Sequence, residues 1–285
     1  MSFQKCLTLA FQRNFTTSTR RPTLVTCEDV GGIRMIGINR PEKKNSVNAD
    51  TADELFSQFE RFDADSSVNV AVLFGNGGTF CAGYDLEEIS RTDKTLLDRF
   101  KRRSPMGPCG MLTNKPIVAA IQGYAVAGGF ELALWCDLRV VEETAVMGVF
   151  CRRFGMPLLN GGTVRLPQLI GLSRTMDLIL TGRAVDGKEA YQIGLANRLV
   201  GCGTGVGQAL QLATQIKKFP QECLRTDRRS AYYATFEAAS QLEAMEYERA
   251  NAVDIISQEG VEGAKRFVSG IGRHGSFNLT KIQEK

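Results

Sequence analysis

A pair of glycines opening an apolar helix restricts this chain more than any other feature. The segment reads Gly123-Tyr124-Ala125-Val126-Ala127-Gly128-Gly129-Phe130-Glu131-Leu132-Ala133-Leu134-Trp135-Cys136-Asp137. Without a Cβ, Gly128 and Gly129 let another group come close against the backbone. The first turn of a helix has N–H groups with no intrahelical acceptor and carries the positive end of the helix dipole. Glu131, two residues after the second glycine, falls in that turn. A carboxylate beside an anion-stabilising backbone suits chemistry in which an oxyanion forms while a proton moves. The plainer alternative is a tightly packed helix start with a capping Glu.

The flanking sequence alternates short strands with helices. Met35–Ile38, Val70–Phe74, Pro116–Ile121 and Leu138–Val141 read as strands, and residues 48–63 have helical spacing with Leu55, Phe56, Phe59 and Phe62 on neighbouring faces. This alternation predicts an α/β fold. From about Gly207 the pattern turns helical, with helices expected over 206–218, 230–258 and 260–268. Gly201-Cys202-Gly203-Thr204-Gly205-Val206-Gly207 precedes a helix but lacks the register of a dinucleotide-binding turn, and reads as a connector.

Further motifs occur in a fixed order. Asn39-Arg40-Pro41-Glu42-Lys43-Lys44-Asn45-Ser46 comes first, followed by a strand, a Gly turn and Cys81-Ala82-Gly83-Tyr84-Asp85-Leu86. After the glycine pair come Gly161-Gly162-Thr163-Val164-Arg165-Leu166-Pro167, then Leu180-Thr181-Gly182-Arg183, then Glu189-Ala190-Tyr191-Gln192-Ile193-Gly194-Leu195-Ala196-Asn197. In this order and spacing, over residues 24–270, the chain resembles the crotonase (enoyl-CoA hydratase/isomerase) family. The resemblance implies a spiral of ββα turns over residues 22–206, followed by a helical region, 207–285, that builds a trimer or a dimer of trimers.

It also implies an acyl-CoA thioester substrate, whose coenzyme A is part of the substrate, with no further cofactor and no metal. Two backbone N–H groups, those of Tyr84 and Gly128, would hold the thioester oxygen, and Glu131 would act as acid and base. Ala82, Gly83, Asp85 and Leu86 would line the same turn, and Lys44 and Ser46 would flank the coenzyme A. For Lys44 a solvated surface position is the competing reading. Typical hydratases of the family use a second glutamate. Counting back from Gly161-Gly162-Thr163, its place is held here by Cys151. Neighbouring Arg152 and Arg153 would lower the pKa of that thiol if they faced it; a buried, inert Cys is the alternative. Asn160 stands near where some family members carry an Asp, and as an Asn it would orient a water or shape the turn. If Arg152 or Arg153 pointed into the pocket, it would bind a carboxylate on the acyl group; a surface position is the competing reading for both. The leading expectation is hydration of a 2-enoyl-CoA to a 3-hydroxyacyl-CoA. The alternatives are an enoyl-CoA isomerase or acyl-CoA decarboxylase with a single acid/base, or a non-catalytic acyl-CoA-binding relative.

Charge and cysteine usage narrow the remaining classes. Lys and Arg number 35 against 31 Asp and Glu, and Lys5, Arg13, Arg20 and Arg21 in residues 1–21 account for the whole excess. That acid-free leader, with Leu7, Leu9, Ala10, Phe11 and Phe15 as an apolar side, has the composition of a mitochondrial transit peptide, so the expected location is the mitochondrial matrix. The charge balance of the rest gives no reason to expect nucleic-acid binding. No apolar run approaches the roughly 18–20 residues of a membrane span. The 8 cysteines include no Cys-x-x-Cys pair and there is 1 His, His274, which argues against a zinc cluster or a His-dependent triad. The thiols are expected to be free.

Overall fold

The computed structural model describes residues 23–273. The leader 1–21, with Cys6, and His274 lie outside the described residues. Nine strands are named here in chain order: β1 (Val25–Val30), β2 (Ile33–Ile38), β3 (Val70–Gly75), β4 (Ile117–Ile121), β5 (Tyr124–Val126), β6 (Leu138–Glu142), β7 (Val146–Gly148), β8 (Val185–Asp186) and β9 (Arg198–Val200). They form a six-stranded sheet in the order β1-β2-β3-β4-β6-β9 and a three-stranded sheet in the order β5-β7-β8. Only the β1–β2 and β7–β8 pairs are antiparallel.

The chain steps repeatedly from one sheet to the other and then into a helix. After β4 it passes directly into β5 and then into the helix Gly128–Trp135. After β6 it passes into β7 and then a 3-10 turn, Phe150–Phe154. Earlier turns make the same step with single bridges in place of full strands: Val47 pairs with Tyr84, and Cys81 with Ala125. This is the expected spiral of ββα turns. Its consequence is local: the bridges carry residues 81–84 alongside the strand that feeds the glycine pair.

Alternation along the strands divides the apolar residues between two cores. Ile36, Ile38, Leu73, Phe80 and Phe130 pack with Leu55, Phe59 and Phe62 of the helix Ala49–Ala64. That helix starts at Asn48, whose side chain accepts the Thr51 N–H. On the opposite face of the sheet, Ile33, Met35, Val70, Val72 and Val140 meet Ala209 and Ala213 of the helix Gly205–Lys217. This helix, which the sequence reading assigned to the C-terminal region, therefore covers the spiral's sheet.

One expected helix is divided. In place of a single element over 230–258 there are two, Gln221–Phe236 and Gln241–Ile255. Ser240 caps the second, accepting the Glu243 N–H, while Glu243 reaches back to the Ala239 N–H. This reciprocal capping satisfies donors that a continuous helix would have to recruit from within. Tyr233 and Tyr247 stack across the resulting hairpin at 3.9 Å. A π-helical turn, Ile256–Gly260, joins the last helix of the described residues, Val261–Val268.

Candidate active site

The site forms where residues 81–86, the start of the helix Gly128–Trp135 and the segment 150–162 converge. The isolated bridge fixes the first of these: Val47 N–H donates to Gly83 O, and Asp85 N–H donates to Val47 O. In a parallel bridge the intervening residue directs its own N–H away from the partner strand. Among the described residues, no protein acceptor takes the Tyr84 N–H. The same holds for the Gly128 N–H at the head of its helix.

Geometry brings these donors side by side. Gly83 has φ +99, and a Cβ placed on it would lie 2.9 Å from Ala127 Cβ and 3.0 Å from Gly128 N. The absence of a side chain at Gly83 keeps the space beside the Gly128 N–H open. Ala127, just before, is held at φ 55 and ψ −125, a conformation that costs a non-glycine residue about 1–3 kcal/mol. The strained residue turns the chain so that the Gly128 N–H faces the turn at 82–84. The close approach at Gly129 comes from the chain itself: a Cβ there would be 2.2 Å from Cys81 O.

Glu131 lines the same cavity, of about 170 Å³, as Tyr84, Gly128, Cys151 and Asn160. Its side chain is buried, and both oxygens accept hydrogen bonds. Oε1 accepts the N–H groups of Asn160 at 2.8 Å and Gly162 at 2.9 Å. Oε2 accepts Asn160 Nδ2 at 2.7 Å and a long contact from Leu159 N–H at 3.5 Å. Oε2 therefore keeps more free acceptor capacity. Asn160 is a two-sided clamp, since its Oδ1 also accepts Ser104 Oγ–H and Met106 N–H. The tertiary fold satisfies a buried carboxylate that the sequence could only name.

Cys151 is buried. Burial, and secondarily the Glu131 charge, pushes its thiol up, against a smaller lowering by Arg152. Of the two readings offered for Cys151, the structure favours the buried thiol over one lowered by its cationic neighbours, since Arg152 lowers it by less than burial raises it. Both arginines leave the cavity. Arg152 is exposed and donates from Nε to Ile179 O. Arg153 lies over the Phe150 ring at 3.7 Å and donates to Gly182 O. Arg152 is not a pocket residue, because the 3-10 turn alternates inward Cys151 with outward cations.

Of the other expected residues, Ala82 and Leu86 line the cavity, and Gly83 closes against Gly128. Asp85 does not face it. Asp85 accepts the Glu87 N–H at a helix start and pairs with Arg40 Nη2 at 2.9 Å. Burial works to raise its carboxyl, but Arg40 and the Glu87 N–H hold it below the ordinary carboxylate range. Lys44 and Ser46 also lie outside the cavity. Lys44 is exposed with Nζ 4.9 Å from the Tyr124 ring centroid, and its carbonyl accepts the Ala82 N–H. Ser46 is buried and its carbonyl accepts Arg40 Nη1. The sequence reading missed the apolar walls, Phe100, Phe150, Phe154 and Met156. It also passed over Ala127, whose only signal was its place before the glycine pair. Among the described residues, no three His, Cys, Asp or Glu side chains cluster to hold a metal, and no helix is long and apolar enough to cross a membrane.

Comparison with known proteins places this geometry in context. The family model described as enoyl-CoA hydratase/isomerase matches residues 28–271. A Rhizobium meliloti protein named "Probable enoyl-CoA hydratase" is 37% identical over 194 residues, 67% of this chain and 74% of its own length. A Zymoseptoria tritici protein named enoyl-CoA isomerase/hydratase is 37% identical over 222 residues, 71% of this chain and 70% of its own length. The crystal structure of enoyl-CoA hydratase EchA1 from Mycobacterium marinum superposes with a TM-score of 0.80 at 32% identity, covering 86% of this chain and 96% of that one.

Proposed function

Because this chain belongs to the enoyl-CoA hydratase/isomerase family, we propose that it hydrates a 2-enoyl-CoA to a 3-hydroxyacyl-CoA through an enolate held by the Tyr84 and Gly128 N–H groups. The observation that carries the reading is the juxtaposition of these acceptor-free donors with the Glu131 carboxylate in one cavity. Glu131 Oε2 takes a proton from water as the water oxygen bonds to Cβ, and the alkene electron pair moves to the thioester oxygen. Collapse of the enolate returns the proton from Glu131 to Cα. Donors fixed in advance at the developing oxyanion are typically worth about 3 kcal/mol each. The Gly128 helix start adds a favourable dipole.

Cys151 supports a second reading. It is a buried thiol among apolar walls, and among the described residues that line the cavity Glu131 is the only carboxylate. A lone acid/base is sufficient to move a proton from Cγ to Cα, which is enoyl-CoA isomerisation. Incubation with crotonyl-CoA in deuterated water separates the readings by NMR. Formation of 3-hydroxybutyryl-CoA supports hydration. Deuterium at Cα or Cγ without hydration supports isomerisation. Glu131→Gln is expected to abolish either signal while retaining coenzyme A ester binding; unchanged turnover would refute the assignment.

We propose the mitochondrial matrix as location on the composition of residues 1–21, tested by imaging a fusion with and without them. Trimeric assembly is proposed from the family and from apolar residues left open on the C-terminal helices, among them Leu242, Val253 and Phe267. Light scattering tests it, and a monomer would contradict it.

A further inference from the structure

We infer that the cavity between the helices Gly162–Ile170 and Gln221–Phe236 is a second binding site, taking a small dianionic oxyanion of the phosphate class on Arg139 and Arg165. The site lies apart from the acyl-CoA cavity and does not depend on that reading. Its volume is about 240 Å³, below the ~300 Å³ at which drug-sized ligand sites begin. Arg139 lines it and is 2% exposed. Nε of Arg139 donates to Leu195 O at 2.6 Å, and Nη1 donates to Cys136 O at 2.8 Å. Among the described residues no acceptor takes Nη2. Nη2 is not among the sealed unpartnered atoms, such as Ser230 Oγ, so it opens onto the cavity that Arg139 lines.

Carbonyl groups satisfy donors but leave a positive charge uncompensated, and buried charges are as a rule paired with an opposite one. A guanidinium does not escape by losing its proton. Burial works against the Arg139 cation more than Cys136, Tyr232 and Asp137 favour it. Arg165 brings a second charge to the same cavity. Its Nη1 donates to Asn160 O and its Nη2 to Cys109 O, both at 2.9 Å. Gly161 makes room for it, since a Cβ there would lie 2.2 Å from Nη1. Among the described residues neither guanidinium donates to a carboxylate. The nearby carboxylates are engaged elsewhere. Asp137 accepts Arg228 Nε at 2.7 Å, the Ile117 N–H at 2.7 Å and the Tyr232 O–H at 3.0 Å. Glu131 faces the other cavity, held by the Asn160 and Gly162 N–H groups. Arg228 offsets Asp137, so two positive charges remain, and a bound dianion neutralises both through charge-assisted hydrogen bonds. Gln168, on the exposed rim, adds an amide donor.

The test titrates the full chain with inorganic phosphate at about pH 8, above the second phosphate pKa, replacing sodium chloride so that ionic strength stays constant. Thermal unfolding and titration calorimetry are the readouts. A saturable rise in Tm is expected, about 3–6 °C at ten times the dissociation constant, with one phosphate bound per chain. Gln168→Glu puts a carboxylate on the rim beside the guanidiniums, where it takes the ligand's place without altering the buried packing. This variant is expected to lose the phosphate-dependent rise. Gln208→Glu makes the same change of charge at an exposed position outside the cavity, and is expected to keep it. The absence of a saturable rise, or a rise that chloride reproduces, overturns the inference. So does a rise that survives Gln168→Glu, since phosphate then binds elsewhere, or one that both variants lose, since net charge then governs it. Turnover of crotonyl-CoA, assayed without phosphate, tests the functional reading independently.

Discussion

Gly83→Ala tests the heart of the site, because the structure specifies what the new methyl group meets. At φ +99 an alanine is strained, and its Cβ would sit 2.9 Å from Ala127 Cβ and 3.0 Å from Gly128 N. Neither neighbour is the free end of a flexible side chain, so the backbone beside Gly128 must shift. Strain of this kind costs about 2 kcal/mol, which lowers Tm by roughly 4–8 °C in a domain of this size. Displacing one oxyanion donor costs about 3 kcal/mol of transition-state stabilisation, or roughly 100-fold in kcat. Gly78→Ala is the control: Gly78 has φ +79 but open space around its Cβ position. It should lose about 1 kcal/mol of stability and keep its turnover. The assays are thermal unfolding and steady-state turnover of crotonyl-CoA, with Cα exchange of butyryl-CoA as a second activity readout. If Gly83→Ala turns over at the rate of the parent, or if Gly78→Ala loses activity equally, the reasoning that places the oxyanion between Tyr84 and Gly128 is refuted.

Other variants probe the scaffold around that site. Ala127→Gly removes the strain at φ 55 and ψ −125, and should raise stability by about 0.5–1 kcal/mol in urea unfolding; a loss would show that the side chain earns its place by packing. Asn160→Ala deprives Glu131 Oε2 of its 2.7 Å donor and leaves Ser104 and Met106 without their acceptor. It should cost about 3 kcal/mol, and a cost below 1 kcal/mol would argue against the clamp. Asp85→Asn tests a pH dependence. The folded carboxyl lies below its ordinary value, so the ion pair's stabilisation is fully present above the unfolded value near pH 4 and fades as pH falls through the folded one. The variant should be less stable than the parent by about 1.5–3 kcal/mol at pH 7, with the gap narrowing below pH 4. An equal gap at pH 7 and pH 2 in urea titrations would contradict the assignment.

Much of the framework was legible because it is encoded locally. The strand β3 followed by a glycine turn, the helix begun by Asn48, and the glycine pair ahead of Glu131 are each a matter of neighbouring residues and their backbone preferences. Gly129 against Cys81 O is a case in which a local signal had a non-local cause. Even the break at Ser240 was written as Ser240–Glu243, though apolar periodicity through 230–258 masked it. What surrounds the carboxylate was not legible. Glu131 is held by groups 28 to 31 residues away, and no pattern along the chain states which donors a turn of the spiral will deliver. The same limit separates Cys151 from Arg152. They are adjacent in sequence, and charge proximity alone favours a reactive thiolate. Only the packed structure, which buries one and sends the other to the Ile179 carbonyl, makes desolvation the larger effect. Sequence by itself determined the order of elements and the chemical groups available. Tertiary structure decided which groups share a cavity, which are shielded from water and which donors remain free, because each depends on segments that meet only once the spiral has closed.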